Sequence, residues 1–494
     1  MKKIIYLLPI LFLFSSCLDK VPEDSILEED AFQTIVDADM LINGIYSTFK
    51  NPSLYSGTMI VAADIQSDLF TAVDGNLNEY GQFWNWDIKA DNLEISGVYS
   101  TLYEVIGNCN YFLEFYHLVE EKLVKQEDFE KLESCIGDAH FARALAYSEL
   151  VRLFCEAYDP AKAETQLGLM LSTKYTDTKA AQRSSLKETY QLILDDLAVA
   201  KEKTDFNSPN TVHFSATVIN ALYARMYLYM QDWEKCVEYA TLVLDNENPE
   251  FEMASTKVNA SANHTMLRYM WTNDASYEII FKVGMTVNSL GGALGTTYLN
   301  YNHISYTPNY VPSEWALKLY SPADERYGAY FQPIKTSYEH GLEWPLFIKY
   351  RGNETFMQSQ ILHTHMPIVF RLGETLLVRA EANCRLKNFQ DATADLITLL
   401  KARYTDFGSM ASLSEDTWLK AIETERIREL FGEGHRITDL KRWNKGFKRK
   451  SQLHSAEGSD ELEIKAGDYR FVWPIPNHEV QAPGSKMEQN KGYN

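Results

Sequence analysis

The chain has 494 residues, 45% of them hydrophobic and 23% charged, an ordinary globular composition that excludes a disordered, collagenous or low-complexity protein. Its net charge of −21 argues against a nucleic-acid partner, since phosphate binding needs clustered Lys and Arg. Tyrosine is in excess, with 30 Tyr against 24 Phe and 9 Trp, and a ring with an apolar face and a polar tip suits a stacking surface.

The first element is a leader. Lys2 and Lys3 precede an apolar run from Ile4 to Phe14, which is shorter than the roughly 20 residues needed to cross a bilayer and has the size of a signal-peptide core. The run ends in Leu13-Phe14-Ser15-Ser16-Cys17, which resembles a bacterial lipobox. Residues 1–16 therefore read as a signal peptide and Cys17 as the lipidated residue of the mature chain. Acyl chains on Cys17 anchor a soluble body to a membrane, each buried methylene adding about 0.8 kcal/mol. The acidic stretch 17–30 reads as a solvated tether, and it is similar to signals that send some lipoproteins to the outer leaflet.

Helical periodicity follows over 34–50, 97–119, 127–136, 138–154 and 186–202. Two longer stretches, 219–244 and 371–400, share a pattern. Ala224 and Ala380 each stand nine residues before an aromatic, Trp233 and Phe389, which follows a short polar turn, Gln231-Asp232 or Lys387-Asn388. A helix, a tight turn and an aromatic-led second helix, with small residues at the crossing, is the tetratricopeptide pattern. One such hairpin cannot bury its apolar face, so several must stack. A last helix is expected at 415–432. Segments 51–96 and 251–366 lack sustained period and are rich in Gly, Asn, Thr, Tyr and Trp, which predicts short strands, small helices and functional loops. The expected fold is mostly α, a tetratricopeptide-like helical-repeat scaffold with a loop-rich insertion containing short strands.

Catalytic signatures are missing: there is no P-loop, dinucleotide fingerprint, HExxH or GxSxG, and no cofactor is expected. Cys109, Cys135, Cys155, Cys236 and Cys384 are odd in number and widely spaced, so they read as buried free thiols. His363-Thr-His365 is a close histidine pair without nearby acidic or thiol partners, and it is not taken as a metal site. Asp64 and Asp68 stand four apart, ahead of Tyr80-Gly-Gln-Phe-Trp84-Asn85-Trp86. These tryptophans serve either core packing or a platform for sugar rings, whose C–H faces are apolar while their hydroxyls need Asp and Asn partners. Gly291 to Gly295 reads as a flexible loop able to expose Trp271, Tyr298 and Tyr301. The candidate ligand residues are thus Asp64, Asp68, Tyr80, Trp84, Asn85, Trp86, Trp271, Tyr298 and Tyr301.

Several separated segments resemble the SusD/RagB family of outer-membrane nutrient-uptake lipoproteins. They are Cys17-Leu-Asp-Lys-Val-Pro-Glu-Asp with Asn43-Gly44-Ile45-Tyr46, Gly137 to Phe154, Met366 to Ala382, the motif from Glu425 to Trp443, and Trp473-Pro-Ile-Pro476 with Gln489 to Tyr493. Gly432 and Lys441 depart from the usual pattern of that motif. Its charged residues, Glu425, Arg426, Arg428, Glu433, His435, Arg436 and Asp439, alternate in sign and are expected to lock a helix end against the loop after it.

The resemblance implies a single body over 31–494, with helical repeats near 31–50, 97–245 and 366–435 and ligand-face segments near 51–96 and 251–366. It implies a non-catalytic surface protein that binds oligosaccharides and delivers them to a partner TonB-dependent transporter of the SusC type. Oligopeptide uptake by the same kind of transporter is the alternative, and glycoside hydrolysis a more distant one.

Overall fold

A computed structural model describes residues 32–175, 180–204, 210–245, 251–259, 263–338 and 341–493; the leader, Cys17 and the tether lie outside them. The longer helices are α1 (Ile35–Thr48), α2 (Thr58–Gln66), α3 (Leu93–Phe115), α4 (Gln126–Phe154), α5 (Leu186–Lys203), α6 (Ala216–Met230), α7 (Trp233–Leu244), α8 (Met266–Asn273), α9 (Leu372–Arg385), α10 (Phe389–Arg403), α11 (Trp418–Glu429) and α12 (Arg436–Arg442). The chain is mostly helical, as its periodicity predicts.

Local chemistry sets the helix starts. Thr34 and Asp37 close a capping box on α1, Ser185 and Glu188 close another on α5, and Asn92 caps α3 by accepting from the Ile95 amide. The two expected short helices at 127–136 and 138–154 are one 29-residue helix, α4, buried along most of its C-terminal two-thirds. Gly137 sits inside it without breaking it.

The repeat hairpins turn where the sequence places them. Gln231 and Lys387 each adopt a left-handed φ of 64°, and α7 and α10 begin two residues later, at Trp233 and Phe389. Ala224 and Ala380 are 1% and 0% exposed at the crossings, which lets the paired helices approach closely. Between successive pairs the Arg385 guanidinium lies 5.3 Å from the Trp233 ring and 4.8 Å from Trp418, so a cation joins the aromatic filling. Tyr147, Tyr223 and Tyr227 are buried in this packing, and the five described cysteines are buried free thiols.

Short antiparallel pairs tie the irregular segments to each other and to the entrance of α9. Strand β1 (Phe70–Ala72) from the first pairs with Tyr310–Pro312 from the second, and Ile279–Lys282 pairs with Ile368–Arg371 at the entrance of α9. Behind them an aromatic cluster unites both segments with the end of α11: Phe70 stacks on Tyr298 at 4.6 Å, and Phe431 lies 5.0 Å from Phe70 and 5.1 Å from Phe331. Gly432 follows with φ of 79°, and a Cβ there would meet the Phe347 ring at 2.2 Å. Only glycine serves at that position.

Candidate functional site

Helix α2 carries Asp64 and the turn that follows it carries Asp68, and the structure points both inward. Asp64 Oδ2 accepts the Gly434 amide at 2.9 Å, and Asp68 holds Arg436 bidentately at 2.9 and 3.0 Å. Exposures of 0% and 5% exclude both from a sugar-binding surface. Burial pushes the Asp64 carboxyl up to about 8 against the opposing pull of the Gly434 amide and Lys349, so it stays protonated at neutral pH. Asp64→Asn is therefore expected to match the native protein below pH 4 and to gain stability over it progressively as pH rises toward 8. Urea melts across that range check this, and a flat difference would overturn the assignment.

The charged motif continues the same cluster. Arg426 pairs with Asp439 at 2.7 Å, Arg428 with Glu425, and Glu425 with Arg326 at 2.6 Å. Glu433 bonds Arg371 and Lys349, each at 2.6 Å. At the centre Glu429, fully buried, meets Arg326 at 2.8 Å, Arg403 at 2.8 Å and Arg371. Burial raises its carboxyl, but the three guanidinium charges outweigh that and hold it well below the usual carboxylate range. His435 is half-buried beside Arg225, Arg426 and Arg152, and its desolvation with those charges keeps it neutral. Each guanidinium is used to fasten one element to another, an arrangement that braces the fold.

Four of the expected stacking rings lie inside the protein. Trp84 is 4% exposed with Arg449 covering its face at 3.6 Å. Trp86 is 1% exposed, donates from Nε1 to the Gln66 carbonyl at 2.7 Å and meets Phe471 edge-on. Trp271, 4% exposed, faces the Lys349 ammonium at 4.0 Å, and Tyr298 is fully buried against Phe70. A platform must be open to its ligand, so these four are core residues. The glycine loop does not expose them either: a Cβ on Gly295 would lie 1.8 Å from the Tyr350 carbonyl oxygen, so this glycine permits close packing. Tyr80 is half-buried with its hydroxyl 3.4 Å from Thr58 Oγ1, and Asn85 is exposed and accepts from Ser459.

Tyr301 reaches the surface. It opens a closed loop over 300–307 in which Asn300 Nδ2 donates to Thr307 at 2.9 and 3.2 Å, and the backbones of Tyr301 and Tyr306 pair as a single bridge. The two half-exposed rings stack at 4.4 Å with 24° between their planes. His303 lies 5.9 Å from Tyr301, and the tip residue Ile304 is 88% exposed. Arg351, itself exposed, donates from Nη2 to the Tyr306 hydroxyl at 3.2 Å. Tyr306, His303 and Arg351 were not expected. The signal for the first was two tyrosines five apart, flanking Asn-His-Ile-Ser, a spacing that a short hairpin brings face to face. The arrangement offers a flat aromatic face beside a guanidinium, suited to a ring with apolar faces and hydroxyl edges.

Residues 330–493 match the family model described as the SusD family, and residues 17–228 match a model described as starch-binding associating with outer membrane. The SusD-like protein P2 of Formosa agariphila is 23% identical over 515 residues, covering 97% of this chain and 96% of the relative. A SusD superfamily protein of known structure from Bacteroides thetaiotaomicron superposes with a TM-score of 0.79 at 25% identity, over 92% of this chain and 99% of the other. A laminarin-binding SusD-like protein superposes with a TM-score of 0.69 at 20% identity, over 94% and 100%.

Proposed function

The chain belongs to the SusD family, and on that premise we propose that it is an outer-membrane surface lipoprotein, anchored through Cys17, that binds oligosaccharides and delivers them to a SusC-like TonB-dependent transporter without altering them. The stacked, half-exposed Tyr301 and Tyr306 beside Arg351 carry this reading, because a sugar ring binds through its apolar face and its hydroxyls together. The starch-binding description of the matched model and the laminarin-binding neighbour support a glycan over a peptide. The absence of a long apolar helix among the described residues is consistent with attachment by acyl chains.

Titration with a panel of oligosaccharides, laminarin fragments among them, tests the surface. Tyr306→Ala is expected to weaken the bound glycan roughly tenfold, the scale of one stacking ring. Unchanged affinity would remove the hairpin from the site. Binding of acid-hydrolysed protein in place of every glycan would move the assignment to peptides.

A further inference from the structure

The pair His363-Thr364-His365 lies directly beneath this surface. Both imidazoles are buried, with residue exposures of 6% and 2%. His363 Nε2 receives the Tyr301 backbone amide at 3.1 Å, and His365 Nε2 receives the Gly352 amide at 2.7 Å. A backbone N–H only donates, so both Nε2 atoms must carry a free lone pair and each ring keeps its proton on Nδ1. On His365 that proton is held by Asp274 Oδ1 at 2.9 Å, while Asp274 Oδ2 accepts from Asn353 Nδ2 at 2.8 Å and the Met366 amide at 2.9 Å. The His363 backbone stands in the left-handed region at φ of 61°, its N–H donating to the Arg351 carbonyl and its own carbonyl accepting from Gly295, each at 3.1 Å.

The two amides so held are those of the first ring of the hairpin and of the residue that follows Arg351. A metal role does not fit, because both Nε2 atoms are occupied and the described residues contain no group of three His, Cys, Asp or Glu able to hold an ion. We propose that His363 and His365 are positioning residues that fasten the tyrosine hairpin and the Arg351 segment, and that His363 does so only while its imidazole is neutral, so that acidification frees the hairpin. The consequence for ligand rests on the hairpin being the glycan-binding surface; the fastening itself does not.

Protonating His363 places an Nε2–H against the Tyr301 amide N–H it now accepts, and converts an attraction into a clash of donors. Burial, with the Arg351 charge beside it, already holds the His363 ring below the ordinary histidine value. The other groups facing the pair are Asp274, Tyr350, whose ring is 5.8 Å from His365, and Lys282, whose ammonium bonds the Asp274 carbonyl. Glu354, on the neighbouring turn, is taken by Asn273 at 3.2 Å. The sign follows: a folded-state pKa below the unfolded value of 6.5 makes the neutral form the stable one, and this contribution is lost as pH falls below 6.5 toward the depressed value.

Hydrogen exchange on the full chain tests this without any ligand, by following peptides covering 299–307 from pH 8 to pH 5 and correcting for intrinsic exchange rates. Protection there is expected to fall roughly tenfold per pH unit once the His363 ring begins to protonate, as coupling to one proton requires, while α9 and α10 keep theirs. His363→Gln, whose amide oxygen accepts without titrating, is expected to flatten this profile. Constant native protection down to pH 5 would overturn the proposal, as would an equal decline in the variant. Laminarin-fragment affinity measured over the same range is expected to follow the native profile. A protection profile that declines without any change in glycan affinity leaves the latch in place and removes the hairpin from the glycan site.

Discussion

Glu429→Ala is expected to cost about 3–5 kcal/mol, because it strips one carboxylate from three buried guanidinium groups that have no route to water. Arg326, Arg371 and Arg403 would keep Asp324, Glu278, Glu425 and Glu433, but the shared centre would be gone. Urea unfolding followed by circular dichroism measures the loss, and a change below about 1 kcal/mol would show that the cluster is not a brace. The acid limb should report the same groups. The Glu381 carboxyl is raised by burial, yet the Arg442 charge and its two hydrogen bonds at 2.5 and 2.6 Å bring it down to about 2. Glu381 and Glu429 both have folded pKa values below their unfolded ones. Their contribution is therefore complete above the ordinary Glu value of 4.5 and is lost as pH falls from there through the folded values.

Trp86→Ala is expected to cost about 3–5 kcal/mol through the cavity left among Phe447, Phe471 and Gln66, with glycan affinity per folded molecule unchanged. Trp86→Phe, which keeps an aromatic ring but cannot donate to the Gln66 carbonyl, is expected to remain folded at a cost of about 1–3 kcal/mol. Thermal melts and glycan titration of both variants separate packing from binding. A stable Trp86→Phe protein that has lost its glycan would return this ring to the binding site.

These outcomes bear on what a sequence can reveal. The helical hairpins were legible because everything that defines them is local: Ala224 and Trp233 fall within one short stretch, and the turn between α6 and α7 needs only Gln231-Asp232. The candidate binding surface was not legible in the same way. Trp84 and Trp86 stand in a polar, irregular segment that reads as exposed, and what buries them arrives from Arg449 and Phe471, hundreds of residues away in sequence. Asp64 and Asp68 were misplaced for the same reason, since their partners Gly434 and Arg436 lie at the other end of the chain. Tyr301 does reach the surface, but Arg351, which bonds its stacking partner Tyr306, becomes a neighbour only when segments 45 positions apart meet.

The hold of α2 on the C-terminal part of the protein also governs when folding can finish. Arg449 reaches the Ile65, Gln66 and Ser67 carbonyls at 3.0–3.1 Å, Trp473 bonds the Gln66 side chain at 2.8 Å, and Arg436 neutralises Asp68. A chain synthesised N-terminus first presents α2 and the turn after it long before any of these partners emerges, with two carboxylates and three carbonyls still needing water. These contacts of α2 and the turn after it therefore form only when the last segment is present, so the two ends of the described chain close together.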